Sequence, residues 1–261
     1  MKKTRKTFSS FFLTAVLSVS CFATTWFPQE FECPIDKEKN TFMVIGSYGS
    51  YIYSWPSKYQ WLFFPNTDSP TYYTCKKCHL TTFMWDFDKI PPEKISELKK
   101  MLAGIKVSKN FKDYQELPVS ERLEIAEKVY TVLGEDESWW ENFYRIKGYH
   151  YGKEGLSDKA VEARKKSLEL IQKELKNEKS EAPKKLLWYI SAAMKHFLSD
   201  DKGALDDLHK ALETKYAEKG ADAEALKNGE EGLNERIKDY IERINGKDKP
   251  RLFDMYDAKE H

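Results

Sequence analysis

The sequence predicts an α+β protein, mainly α, in which a small β-rich module precedes a longer helical domain. Residues 26–87 are rich in aromatic and β-branched side chains and are interrupted by glycine and proline, a pattern typical of short strands and turns. From Pro91 onward lysine, glutamate, leucine and alanine dominate, which favours helices. With the boundary near Ile90, the predicted segments are a β-rich module over residues 24–90, a helical domain over residues 91–245 and a C-terminal tail over residues 246–261.

The first 23 residues have the features of a secretory signal peptide. Four basic residues and no acidic residue precede a short apolar run, residues 8–20, which is too short to span a bilayer as a mature helix. Cleavage is expected after Ala23. Lipid attachment at Cys21 is a weaker alternative, because Leu17 lies four positions before it rather than the usual three. We therefore expect a periplasmic or secreted protein without a transmembrane segment in the mature chain.

The charge balance of the mature chain argues against nucleic acid as a partner. The full sequence carries 43 basic and 42 acidic residues. Removing the predicted signal peptide takes away four basic residues, which leaves a formal charge near −3. A nucleic-acid-binding domain needs a marked excess of lysine and arginine to neutralise phosphates.

Strands are expected in the β-rich module over three short segments, each bounded by turn residues. These segments are Thr41 to Ile45, Tyr51 to Trp55 and Tyr72 to Cys75.

The densest group of reactive side chains lies near the end of this module, where Cys75, Cys78 and His79 form a C-x-x-C-H motif. Earlier in the chain Cys33 begins a C-P-I-D segment, in which Asp36 stands where a second cysteine would stand. In a zinc ribbon, two such turns each supply two ligands, and the four ligands form a tetrahedron around the metal. The spacing therefore predicts a zinc-ribbon-like site formed by Cys33, Cys75 and Cys78, with Asp36 or His79 as the fourth ligand.

The same motif is open to two other interpretations. Export together with C-x-x-C-H is what covalent haem attachment requires, with thioether bonds at Cys75 and Cys78 and iron ligation by His79. The motif follows a predicted strand, however, and no sixth iron ligand is evident. The second alternative is a disulfide or a redox-active thiol pair. Three cysteines remain after removal of the signal peptide, and an odd number cannot all pair within one chain.

Two stretches of the helical domain have spacings that resemble tetratricopeptide hairpins. Gly148 and Ala160 are twelve residues apart, as are Ala192 and Ala204. Small residues at such positions allow the two helices of a hairpin to approach each other. The pattern predicts tetratricopeptide-like helical hairpins, and an irregular helical bundle is the alternative.

Two apolar stripes predict further helices on either side of these hairpins. The first lies between Pro118 and the expected cap Gly134, and the second lies near the end of the helical domain. Their members are Leu123, Ala126, Val129, Tyr130 and Leu133 in the first stripe, and Leu233, Ile237, Tyr240, Ile241 and Ile244 in the second.

The chain resembles an uncharacterised bacterial domain family of unknown function, in which a C-P-x-C turn, a β-rich segment and a C-P-x-C-G-Y turn precede tetratricopeptide-like helices. Two positions depart from that pattern, because Asp36 replaces a cysteine and His79 replaces a glycine. The resemblance implies the same two-part architecture with a paired-cysteine site, and no established activity. It is carried by Cys33-Pro34, Gly46 to Ser50, Pro70, Tyr72, Tyr73, Cys75, Cys78 and Asp86-Phe87.

Enzymatic activity has little support in the sequence. It contains no nucleophile elbow, phosphate-binding loop, zinc-protease motif or dinucleotide fingerprint. The expected function is therefore that of an exported scaffold whose helical array binds a protein or peptide, while the metal or disulfide site stiffens a module too small to be stable by burial alone. The alternative is a monohaem c-type electron-transfer protein that carries its haem at Cys75, Cys78 and His79.

Overall fold

The computed structural model describes residues 25–48, 56–178 and 182–246. It confirms an α+β chain that is mainly helical, with an N-terminal strand region followed by helices. Two of the predicted strands, over residues 41–45 and 72–75, coincide with observed strands. The predicted signal peptide with Cys21, the predicted strand over residues 51–55 and all but the first residue of the tail lie outside the described residues.

The described strands form two antiparallel hairpins. Strand β1 (Thr25–Glu32) pairs with β2 (Lys39–Ser47), and β3 (Tyr72–Thr74) pairs with β4 (Thr81–Phe83). In both hairpins the last pair before the turn joins residues seven positions apart: Glu32 with Lys39, and Thr74 with Thr81. The two turns therefore occupy equivalent positions between their strands.

Helices make up most of the rest of the described chain, and three short 3₁₀ turns occur at Ser69–Thr71, Pro92–Lys94 and Tyr114–Glu116. Within the described residues, no helix combines the length and the apolar character that crossing a membrane requires. The α-helices are α1 (Ile95–Leu102), α2 (Val119–Leu133), α3 (Glu137–Lys153), α4 (Ser157–Lys176), α5 (Lys184–Phe197), α6 (Asp201–Glu213) and α7 (Ala223–Asn245).

Helices α3 and α4 pack against each other as one hairpin, and α5 and α6 form a second that packs against α4. The first hairpin depends on a glycine, since a Cβ atom at Gly148 would lie only 2.8 Å from Cγ of Arg164. In the second hairpin Ala192 and Ala204 are completely buried. The small residues that the sequence predicts at contacts between paired helices therefore lie within the two observed hairpins. The likeness of these hairpins to tetratricopeptide repeats stays a prediction.

The chain between the two β-hairpins packs against the helices. The ring centroid of Tyr59 lies 4.9 Å from that of Tyr240 on α7. On α3, Nη1 of Arg145 donates hydrogen bonds to the carbonyl oxygens of Gln60 (3.1 Å) and Trp61 (2.7 Å). Part of the segment assigned to the β-rich module is therefore held by helical side chains.

Arg122 on α2 makes the most extensive of these connections. Its Nη1 donates hydrogen bonds to the carbonyl oxygens of Ser69 (2.8 Å) and Tyr72 (2.9 Å), and its Nη2 donates to Oγ of Ser69 (2.7 Å). The side chain is completely buried, and the loss of hydration lowers the pKa of the guanidinium to about 10. Since β3 begins at Tyr72 and leads to Cys75, Arg122 fixes the strand that carries the second cysteine turn.

Candidate metal centre

The two β-hairpins end in turns with the same backbone hydrogen bonds. In each, the cysteine N–H donates to the carbonyl five residues later, and the cysteine carbonyl accepts from the N–H four residues later. These distances are 2.9 and 3.0 Å in the turn that begins at Cys33 and again in the turn that begins at Cys75. The residue after the second ligand position has a positive φ in both turns, 64° at Lys37 and 63° at His79. The C-P-I-D and C-K-K-C segments therefore fold alike.

These turns bring Cys33, Asp36, Cys75 and Cys78 together, with one potential ligand atom from each within 4.8 Å of the others. Sγ of Cys33 lies 3.5 Å from Sγ of Cys78. Sγ of Cys75 lies 3.7 and 3.8 Å from the two carboxylate oxygens of Asp36. All three cysteines are free thiols, so these four side chains form a group that could hold a metal ion.

His79 is not a member of this group within the described part of the chain. Its ring centroid lies 6.0 Å from that of Phe111. Its backbone adopts the left-handed conformation that glycine accepts most readily and histidine tolerates better than most side chains. Of the two predicted candidates for the fourth ligand, the structure thus groups Asp36 with the three sulfurs.

The three thiols perturb one another strongly. The pKa of Cys75 is lowered to about 2, chiefly because the thiols of Cys33 and Cys78 donate hydrogen bonds to its sulfur. The pKa of Cys33 is raised to about 12, chiefly because its own thiol donates to Cys75. The pKa of Cys78 is also raised, first by its hydrogen bond with Cys33 and then by that with Cys75. The three thiols thus shift one another's pKa values in opposite directions, and a divalent cation would stabilise all three as thiolates by its positive charge.

Asn40 is the residue of the site that the sequence analysis missed. Its Nδ2 donates to the carbonyl oxygen of Glu38 (3.0 Å) and lies 3.5 Å from Sγ of Cys75, and its Oδ1 accepts from the N–H of Lys76 (2.9 Å). The side chain is buried and joins the two turns. A sequence signal was present, because Asn40 alternates with Phe42 on the inward face of β2, where an apolar residue would be expected.

We expect Asn40→Ala to weaken metal binding about 10–100-fold, because residues that orient a metal ligand typically contribute that much to affinity. The matched control is Thr82→Val at the equivalent position of the second hairpin. Thr82 is buried, and its hydroxyl has no hydrogen-bond partner among the described residues. A competition titration of zinc against a chromogenic chelator measures both affinities. Equal affinities in Asn40→Ala and the wild type would show that Asn40 does not support the site.

None of the comparisons with protein families, with curated proteins and with solved structures finds a match to this chain. The resemblance to the bacterial family of unknown function therefore stays a prediction.

Proposed function

We propose that this chain is an exported interaction scaffold whose β-hairpins are held together by one structural zinc ion, bound by Cys33, Asp36, Cys75 and Cys78. The observation that carries the proposal is the convergence of the four ligand atoms, within 4.8 Å of one another, at the ends of two equivalent turns. Four protein ligands complete a tetrahedral shell, which is typical of structural zinc rather than catalytic zinc.

The donor set favours zinc over the common hard cations. Three sulfurs and one carboxylate suit a borderline-soft ion, whereas magnesium and calcium prefer shells made only of oxygen. A zinc ion would balance two of the negative charges that three thiolates and Asp36 would otherwise place together. Zinc at this site would supply rigidity, and the proposal assigns it no reaction.

A structural role is further supported by the position of the site in the core. Cys33 and Cys75 belong to one buried cluster with Phe42 of β2, Leu98 of α1 and Val129 of α2. The second hairpin has only three residues in each strand, and hairpins of this size are not stable alone. A metal that joins both turns would therefore also hold the hairpins against the first two helices.

The partner proposed for the scaffold is a protein or peptide that binds the helical array. A groove of about 160 Å³ between α2, α3 and α4 is lined by half-buried Tyr144, beside lysine and glutamate side chains, with buried Tyr151 at its base. Tyrosine is enriched at protein interfaces, and polar side chains are typical of their rims. The lining residues are Glu124, Glu127, Tyr144, Lys147, Tyr151, Lys159, Glu162, Ala163 and Lys166.

Site-specific photocrosslinking in the native cell envelope tests this role. We expect a photoreactive amino acid at Tyr144 to give a discrete adduct with one partner. The control position is Gln172, which is exposed on α4 and does not line the groove. The groove is not the binding surface if both positions give the same adducts, or if neither gives one.

The haem alternative stays a prediction without a supporting observation in the structure. Haem attachment would require the sulfur of Cys75 to reach a vinyl group, yet this sulfur is completely buried beside Asp36 and Asn40.

A further inference from the structure

The sulfurs of Cys33 and Cys78 are close enough to react with each other. Cys33 and Cys78 come from different turns, and their Sγ atoms are 3.5 Å apart. A disulfide bond is about 2.05 Å long, so the two sulfurs need to approach by only ~1.5 Å. No strand has to be re-paired, since each cysteine is fixed in a turn that keeps its own backbone hydrogen bonds.

Among the described residues, Cys78 is the cysteine of the site that lines an open groove. A groove of about 400 Å³ beside the site is lined by Asp36, Cys78, His79 and Lys99, among others. Cys33 and Cys75 do not line it and are completely buried, whereas Cys78 is partly exposed. A small oxidant entering from solvent would therefore meet Cys78 first.

We propose that the zinc site is also a redox switch, in which a peroxide joins Cys33 and Cys78 in a disulfide and releases the metal. The release step rests on the proposed zinc binding.

Sulfur of Cys78 attacks one peroxide oxygen, the O–O bond breaks, and one water leaves with formation of a sulfenic acid. Sulfur of Cys33 then attacks the sulfenic sulfur, the S–O bond breaks, and the second water leaves. The two sulfurs lose two electrons in total, the peroxide gains them, and the protons for both waters come from the thiols or from solvent.

Oxidation removes half of the metal-binding group. Only Cys75 and Asp36 would remain as ligands, and two ligands do not hold zinc in a structural site. The new disulfide would still connect the two turns, which is the connection that the metal supplies in the reduced protein. The switch therefore exchanges one cross-link for another, so that the hairpins stay joined while metal is released.

Peptide mapping of the full chain tests the pairing, because trypsin cleaves after Lys76 and Lys77 and so separates Cys75 from Cys78. The metal-free and zinc-loaded proteins are each treated with hydrogen peroxide, alkylated and digested. We expect one disulfide per chain, which links the peptide ending at Lys37 to the peptide beginning at Cys78. In the zinc-loaded sample a chromogenic dye should detect about one zinc released for each disulfide formed.

Two cysteine variants show which cysteines form the disulfide. In the metal-free state Cys75→Ser should still form the disulfide, whereas Cys33→Ser should not; the second variant also excludes a link to Cys21. Pairing of Cys75 with Cys78, or no disulfide in the metal-free wild type, would overturn the proposal. A wild type that forms the Cys33–Cys78 disulfide but never binds zinc would overturn the release step and would contradict the proposed function separately.

Discussion

Replacing Cys75 with serine is expected to abolish stoichiometric zinc binding. Cys75 is completely buried, and its sulfur contacts both Asp36 and Asn40, so no other described cysteine is positioned to take its place. A serine hydroxyl is not among the side chains that bind structural zinc, so the variant would keep only three of the four ligands that a closed tetrahedral shell requires. Thermal unfolding with and without chelator measures this effect. A chelator should lower the unfolding temperature of the wild type and leave that of Cys75→Ser unchanged.

The control for this experiment is His79→Gly in the same turn. Glycine accepts the positive φ at this position, and the change removes the imidazole without disturbing the backbone. We expect this variant to bind zinc as the wild type does. Loss of zinc in His79→Gly, with full binding in Asp36→Ala, would make His79 the fourth ligand and would contradict the grouping of Asp36 with the sulfurs.

Arg122→Ala is expected to lower the free energy of unfolding by about 3–5 kcal/mol. The change leaves the carbonyl oxygens of Ser69 and Tyr72 without their donor and opens a cavity under the second hairpin. Hydrogen bonds to a charged group typically contribute ~1.5–3 kcal/mol each, and the cavity left by the missing side chain adds to the loss of stability. Denaturation by urea, fitted for both midpoint and slope, measures the difference.

Two further variants separate the geometry of the guanidinium from its charge. Arg122→Lys keeps the positive charge but not the planar fork that reaches two carbonyl oxygens, so we expect an intermediate loss of stability. Lys128→Ala changes an exposed residue on the same helix and should stay within ~0.5 kcal/mol of the wild type. A loss below about 1 kcal/mol in Arg122→Ala would show that this connection between helix and hairpin is dispensable.

The parts of the site that could be predicted from sequence are those set by local spacing. Ligands three positions apart within a turn lie close together whatever surrounds them, so C-P-I-D and C-K-K-C were sufficient to predict Cys33, Cys75 and Cys78, with Asp36 as one of two candidates for the fourth ligand. His79, which stands where the resembling family has a glycine, has the left-handed backbone that glycine accepts most readily. Helix α2 likewise ends at Gly134, with a φ of 87°, as the glycine predicted.

Contacts between distant parts of the chain could not be predicted in this way. Asn40 reaches Lys76 and Cys75 only because the two hairpins pack side by side, and no pattern within β2 specifies that arrangement. In the sequence, Arg122 has the same pattern around it as an exposed helical arginine. Its role depends on the carbonyl oxygens of Ser69 and Tyr72, which come from a distant part of the chain. Buried polar side chains that satisfy remote backbone groups depend on tertiary structure, which a single sequence does not display.

Elemental analysis of the wild-type protein, purified from the periplasm of a host able to attach haem, tests the central claim most directly. The account predicts about one zinc and no iron per chain. It also predicts that the Cys75→Ser variant, prepared in parallel, contains neither metal. About one iron per chain would contradict the zinc site and support the haem alternative, and the absence of both metals from the wild type would contradict metal binding altogether.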